Sequence, residues 1–286
     1  MAKDPLKTMN VGRKHERIIV VAPGRALSQD AAACVAAMAR DLYPALTLTF
    51  HPQCFLQHGH FAGDDAARSA AFLEAANDPG HDAVWFALGG YGSCRLADEV
   101  FNALNDHARA KTYLGYSDTG AILARLQRLG FEGLAHGPMP GDITRPGGET
   151  AVRRSLDFLA GGARDGIEAH AAAGGRHAAF NITVLSHVIG TPWAPALDGF
   201  VLHLEEVAEY LYRIDRALFT ILSSETARAC AGVRLGRCSD IPENDIAFGG
   251  DEVDSVKYWC ERNGVAYLGR SDIGHDTDNK IVPFGE

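Results

Sequence analysis

Apolar runs alternate with amphipathic stretches along the first half of the chain. The run at 17–22 is almost continuously apolar and ends at Pro23-Gly24, a pattern typical of a strand buried in a parallel sheet. Alanine-rich stretches with helical spacing follow such runs, and Ser28 or Asp30 is placed to cap the first of them. The predicted strands are 17–22, 46–50, 83–88 and 112–114, and the predicted helices are 28–42, 64–76, 93–107 and 119–129.

This alternation predicts an α/β domain whose parallel sheet carries helices on both faces. Parallel crossovers are right-handed, so the carboxyl ends of the strands share one edge of the sheet. Ligands of such sheets bind outside that edge. Two segments, Gly89-Gly90-Tyr91-Gly92 and Gly115-Tyr116-Ser117-Asp118, directly follow predicted strands and are expected there.

The pattern changes after about residue 133, where glycine and proline loop signals become frequent. We predict a disordered tail at 1–16, an α/β domain at 17–145, a linker region at 146–175 and a smaller α+β domain at 176–286. The predicted later elements are helices at 151–160, 182–188, 208–222 and 251–263 and strands at 201–204 and 264–268.

Composition narrows the possible functions. The chain is 47% hydrophobic and 22% charged, as is usual for a folded protein, and its net charge of −9 offers no basic surface for nucleic acid. No apolar run approaches the roughly 18 residues of a membrane span, and the N-terminal residues do not resemble a secretory signal. The six cysteines form no C-x-x-C pair, so the sequence supports no zinc or redox motif.

The two strand-end segments suggest a nucleophile beside a glycine loop. A tight strand-to-helix turn would project Ser117 above the sheet edge, together with free N–H groups of the first helical turn. The alternative is that Ser117 is only a helix N-cap. The glycine loop suits an oxyanion hole or a phosphate site, although Arg95 stands where a dinucleotide fingerprint needs its third glycine.

A nucleophilic serine needs a base, and twelve histidines are available. His275 lies in a predicted loop, whereas His203 lies on a predicted strand. Period-two geometry puts Glu205 and His203 on one, more polar, face of that strand. The residues alone leave His203 and His275 as rival bases, and they also leave open a binding module without catalysis.

The ordered motifs resemble the LD-carboxypeptidases, a family of serine peptidases (S66) that also includes microcin C immunity hydrolases. They run in family order across nearly the whole chain. The matching stretches are Gly89-Gly90-Tyr91-Gly92-Ser93-Cys94-Arg95-Leu96, Gly115-Tyr116-Ser117-Asp118, His136-Gly137-Pro138-Met139, Asn181-Ile182-Thr183-Val184-Leu185, Gly190-Thr191-Pro192, Leu204-Glu205-Glu206-Val207-Ala208-Glu209, Tyr212-Arg213-Ile214-Asp215-Arg216, Gly274-His275 and Pro283-Phe284-Gly285.

The resemblance implies Ser117 as nucleophile, His275 as base and Glu205 as its orienting carboxylate. It implies an oxyanion hole from the backbone N–H groups of Gly90 and Asp118. His203 would then be a residue of the cleft wall.

The family activity removes the terminal D-alanine of a murein tetrapeptide, in the cytoplasm and without metal or cofactor, commonly as a homodimer. Tyr91, Gly92 and Arg95 are candidate substrate contacts. Arg95 is included because a cation is expected to hold the carboxylate of the released alanine.

Three positions depart from the common family pattern. Leu88 stands in place of an arginine, Glu206 in place of an aspartate, and Phe180 in place of a glycine. None of them is a proposed catalytic residue. We expect them to affect specificity, so hydrolysis of a peptidyl- or acyl-nucleotide amide, as in the immunity enzymes, is the alternative activity.

Overall fold

The computed structural model describes residues 13–285. Most of the predicted tail, residues 1–12, lies outside this range. Within it, His15 is buried and its N–H donates to Leu159 O at 2.9 Å, while Thr47 N donates to Glu16 O at 2.8 Å. Residues 15 and 16 are therefore attached to the folded body.

Strands and helices alternate along the first half. In chain order the elements are β1 (Arg17–Val21), α1 (Gln29–Leu42), β2 (Thr47–Phe50), α2 (Asp65–Asn77), β3 (Ala83–Phe86), α3 (Asp98–Asn102), α4 (Asp106–Arg109), β4 (Thr112–Gly115), α5 (Gly120–Arg128), β5 (Leu134–His136) and α6 (Gly148–Leu159). Short 3-10 helices lie at Pro52–Phe55, Ser93–Arg95, Ser117–Thr119 and Pro140–Thr144.

The second half continues the alternation. Its elements are α7 (Ala169–Ala172), β6 (His177–Asn181), α8 (Ile182–Val188), β7 (Val201–Val207), α9 (Leu211–Leu222), α10 (Glu225–Arg228), β8 (Gly232–Ser239), α11 (Glu252–Asn263), β9 (Tyr267–Arg270) and β10 (Val282–Pro283). The predicted helix at 182–188 is confirmed, and the Asp251 side chain caps α11 by accepting from Val253 N and Asp254 N.

The first sheet brings the two glycine segments together. Its strand order in the described part of the chain is β10-β5-β4-β3-β1-β2, with β1 to β5 parallel and β10 antiparallel to β5. β3 and β4 are neighbours, with Trp85 opposite Leu114, so the loops that follow them leave the sheet side by side. This is the edge at which the sequence predicted a ligand site.

The second sheet has the order β6-β7-β8-β9, and all of its pairings within residues 13–285 are parallel. The expected α/β fold with a smaller second part is confirmed. The parallel arrangement of that second part differs from the expected α+β one. The difference arises because β6 and β8, which complete the βαβ units, were not predicted.

The core of the first half is apolar and aromatic. Trp85, Phe86 and Tyr113 are fully buried, and burial of each such side chain contributes about 1.5–3 kcal/mol. Trp85 Nε1 also donates to Pro138 O at 2.9 Å. None of the helices within residues 13–285 combines the length and the apolar character that crossing a bilayer requires.

The predicted helix at 93–107 is wrong, because the segment is broken into a 3-10 turn, α3 and α4. Asn77 Nδ2 donates to Ala103 O at 3.0 Å, and Asn105 N donates to Asn77 Oδ1 at 2.9 Å. The Asn105 side chain then caps α4 by accepting from Ala108 N. These bonds replace the backbone bonds that a continuous helix would make there.

Candidate active site

Ser117 occupies the turn between β4 and α5 with a φ of 59°, in the left-handed region. A residue other than glycine is strained there by about 1 kcal/mol or more, and such strain is typical of functional turns. The helices do not use the Ser117 side chain as a cap, because Tyr116 and Thr119 are the N-cap residues. The turn instead presents the hydroxyl at the sheet edge.

The glycine loop packs closely against this turn. A Cβ added to Gly89 would lie 2.8 Å from Ser117 Oγ, so the absence of a side chain allows the contact. Gly90 has a φ of 113°, which L side chains rarely adopt. Gly92 O accepts from Arg68 Nη1 at 2.7 Å, which anchors the far end of the loop.

Ser117, His275 and Glu205 form one chain of hydrogen bonds. His275 Nε2 lies 3.0 Å from Ser117 Oγ, and His275 Nδ1 lies 2.5 Å from Glu205 Oε2. Ser117 lies in the 3-10 turn after β4, Glu205 on β7 and His275 in the loop after β9. The structure thus brings together three side chains that are far apart in sequence.

The imidazole and the carboxylate are both buried, at 9% and 0% exposure. Burial acts to lower the pKa of His275, but the charge and hydrogen bond of Glu205 outweigh it and hold that pKa above its ordinary value. Glu205 Oε1 is buried without a hydrogen-bond partner in the part of the chain described here. The His275 side chain is therefore the principal partner of this carboxylate.

The backbone around His275 is held from both halves of the molecule. Gly274 N donates to Asn279 Oδ1 at 3.2 Å, and Arg237 Nη2 donates to Asp276 Oδ1 at 2.8 Å. Arg145, on the loop after the Pro140–Thr144 turn, donates through Nη1 to His275 O. The histidine loop is thereby attached to the first half.

Asp142 organises the residues beneath the serine turn. It accepts from the Tyr116 hydroxyl at 2.7 Å and from Met139 N at 2.8 Å, and it pairs with Arg145 Nε at 3.1 Å. The Tyr116 ring lies 4.9 Å from the His275 ring, centroid to centroid. Neither Asp142 nor Tyr116 was singled out from the sequence.

The Asp118 side chain joins the serine turn to the glycine loop. It is buried, and its Oδ2 accepts from Ser93 N at 2.9 Å. Burial raises the pKa of this carboxyl above its usual value. The backbone N–H of Asp118 belongs to the first turn of a 3-10 helix, where N–H groups lack helical acceptors.

A cavity of about 300 Å³ opens over Ser117. Of the candidate residues, Gly90, Ser117 and His275 line it, whereas Tyr91, Gly92 and Arg95 do not. Arg95 Nη2 instead pairs with Asp65 Oδ2 at 2.5 Å. The lining residues are Arg25, Leu88, Gly89, Gly90, Tyr116, Ser117, Met139, Asp142, Arg145, Val207 and His275.

Arg25 and Arg145 are the positively charged cavity residues that sequence reasoning missed. Arg25 follows Pro23-Gly24 at the carboxyl end of β1, the edge already expected to hold the site. This position at the end of a strand is the sequence feature that could have identified Arg25 as a site residue. Arg145 stands before Pro146 in a segment interpreted only as a loop.

His203 belongs to a separate buried cluster, so its expected place in the cleft wall is wrong. Its Nδ1 lies 2.6 Å from Ser271 Oγ, and its Nε2 lies 2.9 Å from His177 Nδ1. Burial lowers the pKa of His203 to about 3. The expected polar face is also wrong, because β7 is an inner strand of a parallel sheet and both its faces are covered.

The three departures from the family pattern have different surroundings. Leu88 lines the cavity. Glu206 is buried and accepts from Thr183 N at 2.8 Å and from Asn181 Nδ2 at 2.7 Å. Phe180 is buried against the Phe284 ring, at 5.2 Å between centroids. Of the three, Leu88 is the one placed to contact a bound molecule.

Comparisons with known proteins identify two family domains in this chain. Residues 18–137 match the LD-carboxypeptidase N-terminal domain and residues 174–286 the LD-carboxypeptidase C-terminal domain. A Synechocystis sp. protein, provisionally assigned as a carboxypeptidase, is 32% identical over 235 residues, which are 79% of this chain and 75% of its own. The murein tetrapeptide carboxypeptidase of Pseudomonas aeruginosa is 26% identical over 253 residues, covering 80% and 79%.

Solved structures share the fold. Muramoyltetrapeptide carboxypeptidase from Oxalobacter formigenes superposes with a TM-score of 0.75 at 22% identity, covering 93% of each chain. The microcin C7 self-immunity protein in its wild-type apo state gives 0.72 at 16% identity, covering 96% of this chain and 92% of the other.

The fold and the family matches define a serine-type peptidase hydrolase. The chain belongs to the LD-carboxypeptidase family. The resemblance noted in its motifs is thereby confirmed.

Proposed function

We propose that this chain is a carboxypeptidase that hydrolyses the L,D bond to the terminal D-alanine of murein tetrapeptides. The observation that carries the proposal is the hydrogen-bonded chain from Ser117 through His275 to Glu205 beside a glycine loop. The name of the Pseudomonas aeruginosa relative, a murein tetrapeptide carboxypeptidase, supports this choice of substrate.

In the proposed first step, neutral His275 accepts the Ser117 proton at Nε2 while the serine oxygen attacks the scissile carbonyl carbon. Nδ1–H of the same ring stays bonded to Glu205, which fixes the tautomer and balances the imidazolium charge. General base catalysis of this kind contributes typically about 10²–10⁴-fold. Because the pKa of His275 is raised, its imidazolium form is stabilised and can hold the serine proton until the leaving amine accepts it.

The negative charge on the tetrahedral carbonyl oxygen needs donors. We assign the backbone N–H groups of Gly90 and Asp118 to this role, since Gly89 contacts Ser117 Oγ and Asp118 directly follows Ser117. Loss of one such donor costs about 10²–10³-fold in rate.

Collapse of the intermediate breaks the C–N bond, and His275 Nε2–H gives its proton to the departing D-alanine amine. The remaining peptide is then an ester of Ser117. Water attacks this ester as His275 accepts a water proton, and the serine oxygen leaves with that proton. The enzyme returns to its starting state with a tripeptide acid and D-alanine released.

Incubation with a purified murein tetrapeptide tests the proposal. Mass spectrometry should show its conversion to the tripeptide and one free alanine. Ser117→Ala should reduce turnover by at least about 10⁴-fold, because the nucleophile is lost. Ser223→Ala, at the end of α9, is the matched control and should behave as wild type.

Other outcomes would overturn the proposal. Tetrapeptide bound intact by the wild-type protein would indicate a binding module. Preferential cleavage of an aminoacyl-sulfamoyl nucleoside would indicate an immunity-type hydrolase with the same catalytic groups. Full activity of Ser117→Ala would exclude Ser117 as the nucleophile.

We further propose that the enzyme acts as a homodimer in the cytoplasm and needs no metal, as the family resemblance implies. Sedimentation of the purified protein tests the dimer, and fractionation of cells tests the location. Activity that persists after dialysis against a chelator would support metal independence, whereas its loss and recovery with added metal would refute it.

A further inference from the structure

Removal of a single terminal residue places the free carboxylate of the substrate close to the bond that breaks. Only the amide nitrogen and the α carbon separate that carboxylate from the scissile carbonyl carbon. The charge therefore enters the cavity over Ser117 with the reacting group. A guanidinium meets such a carboxylate best, because two of its N–H groups bind both oxygens at once.

Two arginines line this cavity, and they differ in what already binds them. Arg145 is engaged, with Nε on Asp142 Oδ1 and Nη1 on His275 O. Within residues 13–285, Arg25 has no hydrogen bond or ion pair. Arg25 is also an exposed residue, so a bound molecule can reach it.

The Arg25 side chain lies on the glycine loop itself. A Cβ added to Gly90 would stand 2.6 Å from Arg25 Cγ, so the arginine stem occupies the space that a side chain at Gly90 would fill. The neighbouring Gly89 contacts Ser117 Oγ. The stem thus crosses the loop next to the serine, and Arg25 is one of the residues that line the cavity.

The charged groups near Arg25 are bound to other residues, so Arg25 is available to a ligand. Leu88, at the start of the same loop, adds no charge to the cavity. The carboxylate of Asp142 is bound by Tyr116, Met139 N and Arg145. Arg95, the cation expected from the sequence to bind the carboxylate, is held by Asp65 outside the cavity.

We propose that Arg25 binds the free C-terminal carboxylate of the substrate and so makes the enzyme specific for terminal residues. This inference rests on the proposed carboxypeptidase function. Arg25 is then a specificity-determining residue, and its contact with Gly90 couples carboxylate binding to the loop that we assign to the oxyanion.

The test compares the tetrapeptide acid with the same peptide ending in D-alaninamide. Arg25→Met should lower kcat/KM for the acid by roughly 10- to 100-fold, the worth of hydrogen bonds to a charged group, and change it little for the amide. Arg25→Lys should fall between, because an ammonium cannot form the fork. Arg40→Met, an exposed arginine in the last turn of α1, is the matched control.

Two results would overturn the inference. If Arg25→Met leaves kcat/KM unchanged on both the acid and the amide, the carboxylate is bound elsewhere. If it lowers kcat/KM equally on both, Arg25 has a merely structural role. Calorimetric titration of Ser117→Ala with the two peptides adds a readout without turnover. There, loss of the acid preference in the double variant with Arg25→Met is expected, and its persistence would contradict the inference.

Failure of the proposed function looks different. A wild-type enzyme that leaves the tetrapeptide intact but cleaves another acid-terminated peptide would refute the murein substrate, and the acid-to-amide ratio on that peptide would still decide the role of Arg25. A wild-type enzyme that cleaves and binds acid and amide equally would refute the Arg25 inference alone. Absence of both cleavage and binding of peptide acids would refute the two together.

Discussion

Glu205 is the residue whose charge most affects the candidate site. It is fully buried, one oxygen faces His275, and the other has no partner among the described residues. A buried carboxylate is expensive to desolvate and adds stability only when it is well paired. Its position is therefore better explained by its effect on the imidazole than by a contribution to folding.

We predict that Glu205→Gln lowers kcat/KM by about 10²–10⁴-fold and moves the acidic limb of the pH–activity profile to lower pH. The base must be neutral to accept a proton, so activity rises with pH through the raised pKa of His275. Without the Glu205 charge, burial lowers that pKa. A pH series of kcat/KM measures both changes.

Glu206→Gln is the graded control, because Glu206 also raises the pKa of His275 but is a lesser cause than Glu205. A smaller shift in the same direction is expected. An unchanged acidic limb in Glu205→Gln would show that the limb reports a group other than His275.

Sequence reasoning was most successful for residues that fixed motifs mark. Ser117 follows a glycine at a strand end, which made it a candidate nucleophile, although the residues alone left an N-cap role equally open. Glu205 rests on the family resemblance, because the polar face that strand alternation predicted for it does not exist. Distinguishing His275 from His203 required the family resemblance, because period two cannot tell which histidine meets a distant serine. Arg25 carries no motif, and its role depends on the packing of β1 against the glycine loop.

At the scale of elements, side chains from distant segments decide where helices end. Asn77, the last residue of α2, binds Ala103 O and Asn105 N and so separates α3 from α4. The sequence of 93–107 has helical spacing and gives no sign of this interaction. Such breaks are set by tertiary hydrogen bonds and cannot be predicted from local pattern.

We predict that Asn77→Ala lowers the free energy of unfolding by about 1–2 kcal/mol, since two backbone groups lose their partner. Urea denaturation measures the effect. Asn102→Ala, at the exposed end of α3, is the control and should change stability by less than about 0.5 kcal/mol. Equal effects of the two variants would argue against this role for Asn77.

Strands β6 and β8 show a second limit of predicting structure from the hydrophobic pattern. β6 is buried at every residue, yet it begins with His177 and contains two alanines, so it lacks the β-branched run expected of a buried strand. β8 includes Arg234 and Arg237. Their pairing with β7 makes them strands, and that pairing is not visible along the chain.

At the scale of the whole molecule, the candidate site lies where the two halves meet. Ser117 and Arg145 come from the first half, and Glu205 and His275 from the second. Arg145 donates to His275 O and pairs with Asp142. It is a positioning residue that holds the histidine loop against the serine turn.

We predict that Arg145→Met lowers kcat by about 10- to 100-fold through misplacement of His275. It should also move the acidic limb of the pH–activity profile to higher pH. The limb rises because the Arg145 charge opposes the positive form of His275, so its removal raises the pKa of the imidazole further. Arg145→Lys keeps the charge and should keep the limb. A limb that falls in Arg145→Met would contradict the assignment.

β10 determines when the first sheet can be completed during biosynthesis. Val282 and Pro283 pair with β5 of the first sheet, although nearly all of the second half is translated between them. A nascent chain on the ribosome therefore carries an open β5 edge, which invites pairing with other strands, until residues 282 and 283 emerge. His275 lies only a few residues before β10, so Ser117 and His275, its proposed base, can meet only after the segment between β5 and that loop has been translated.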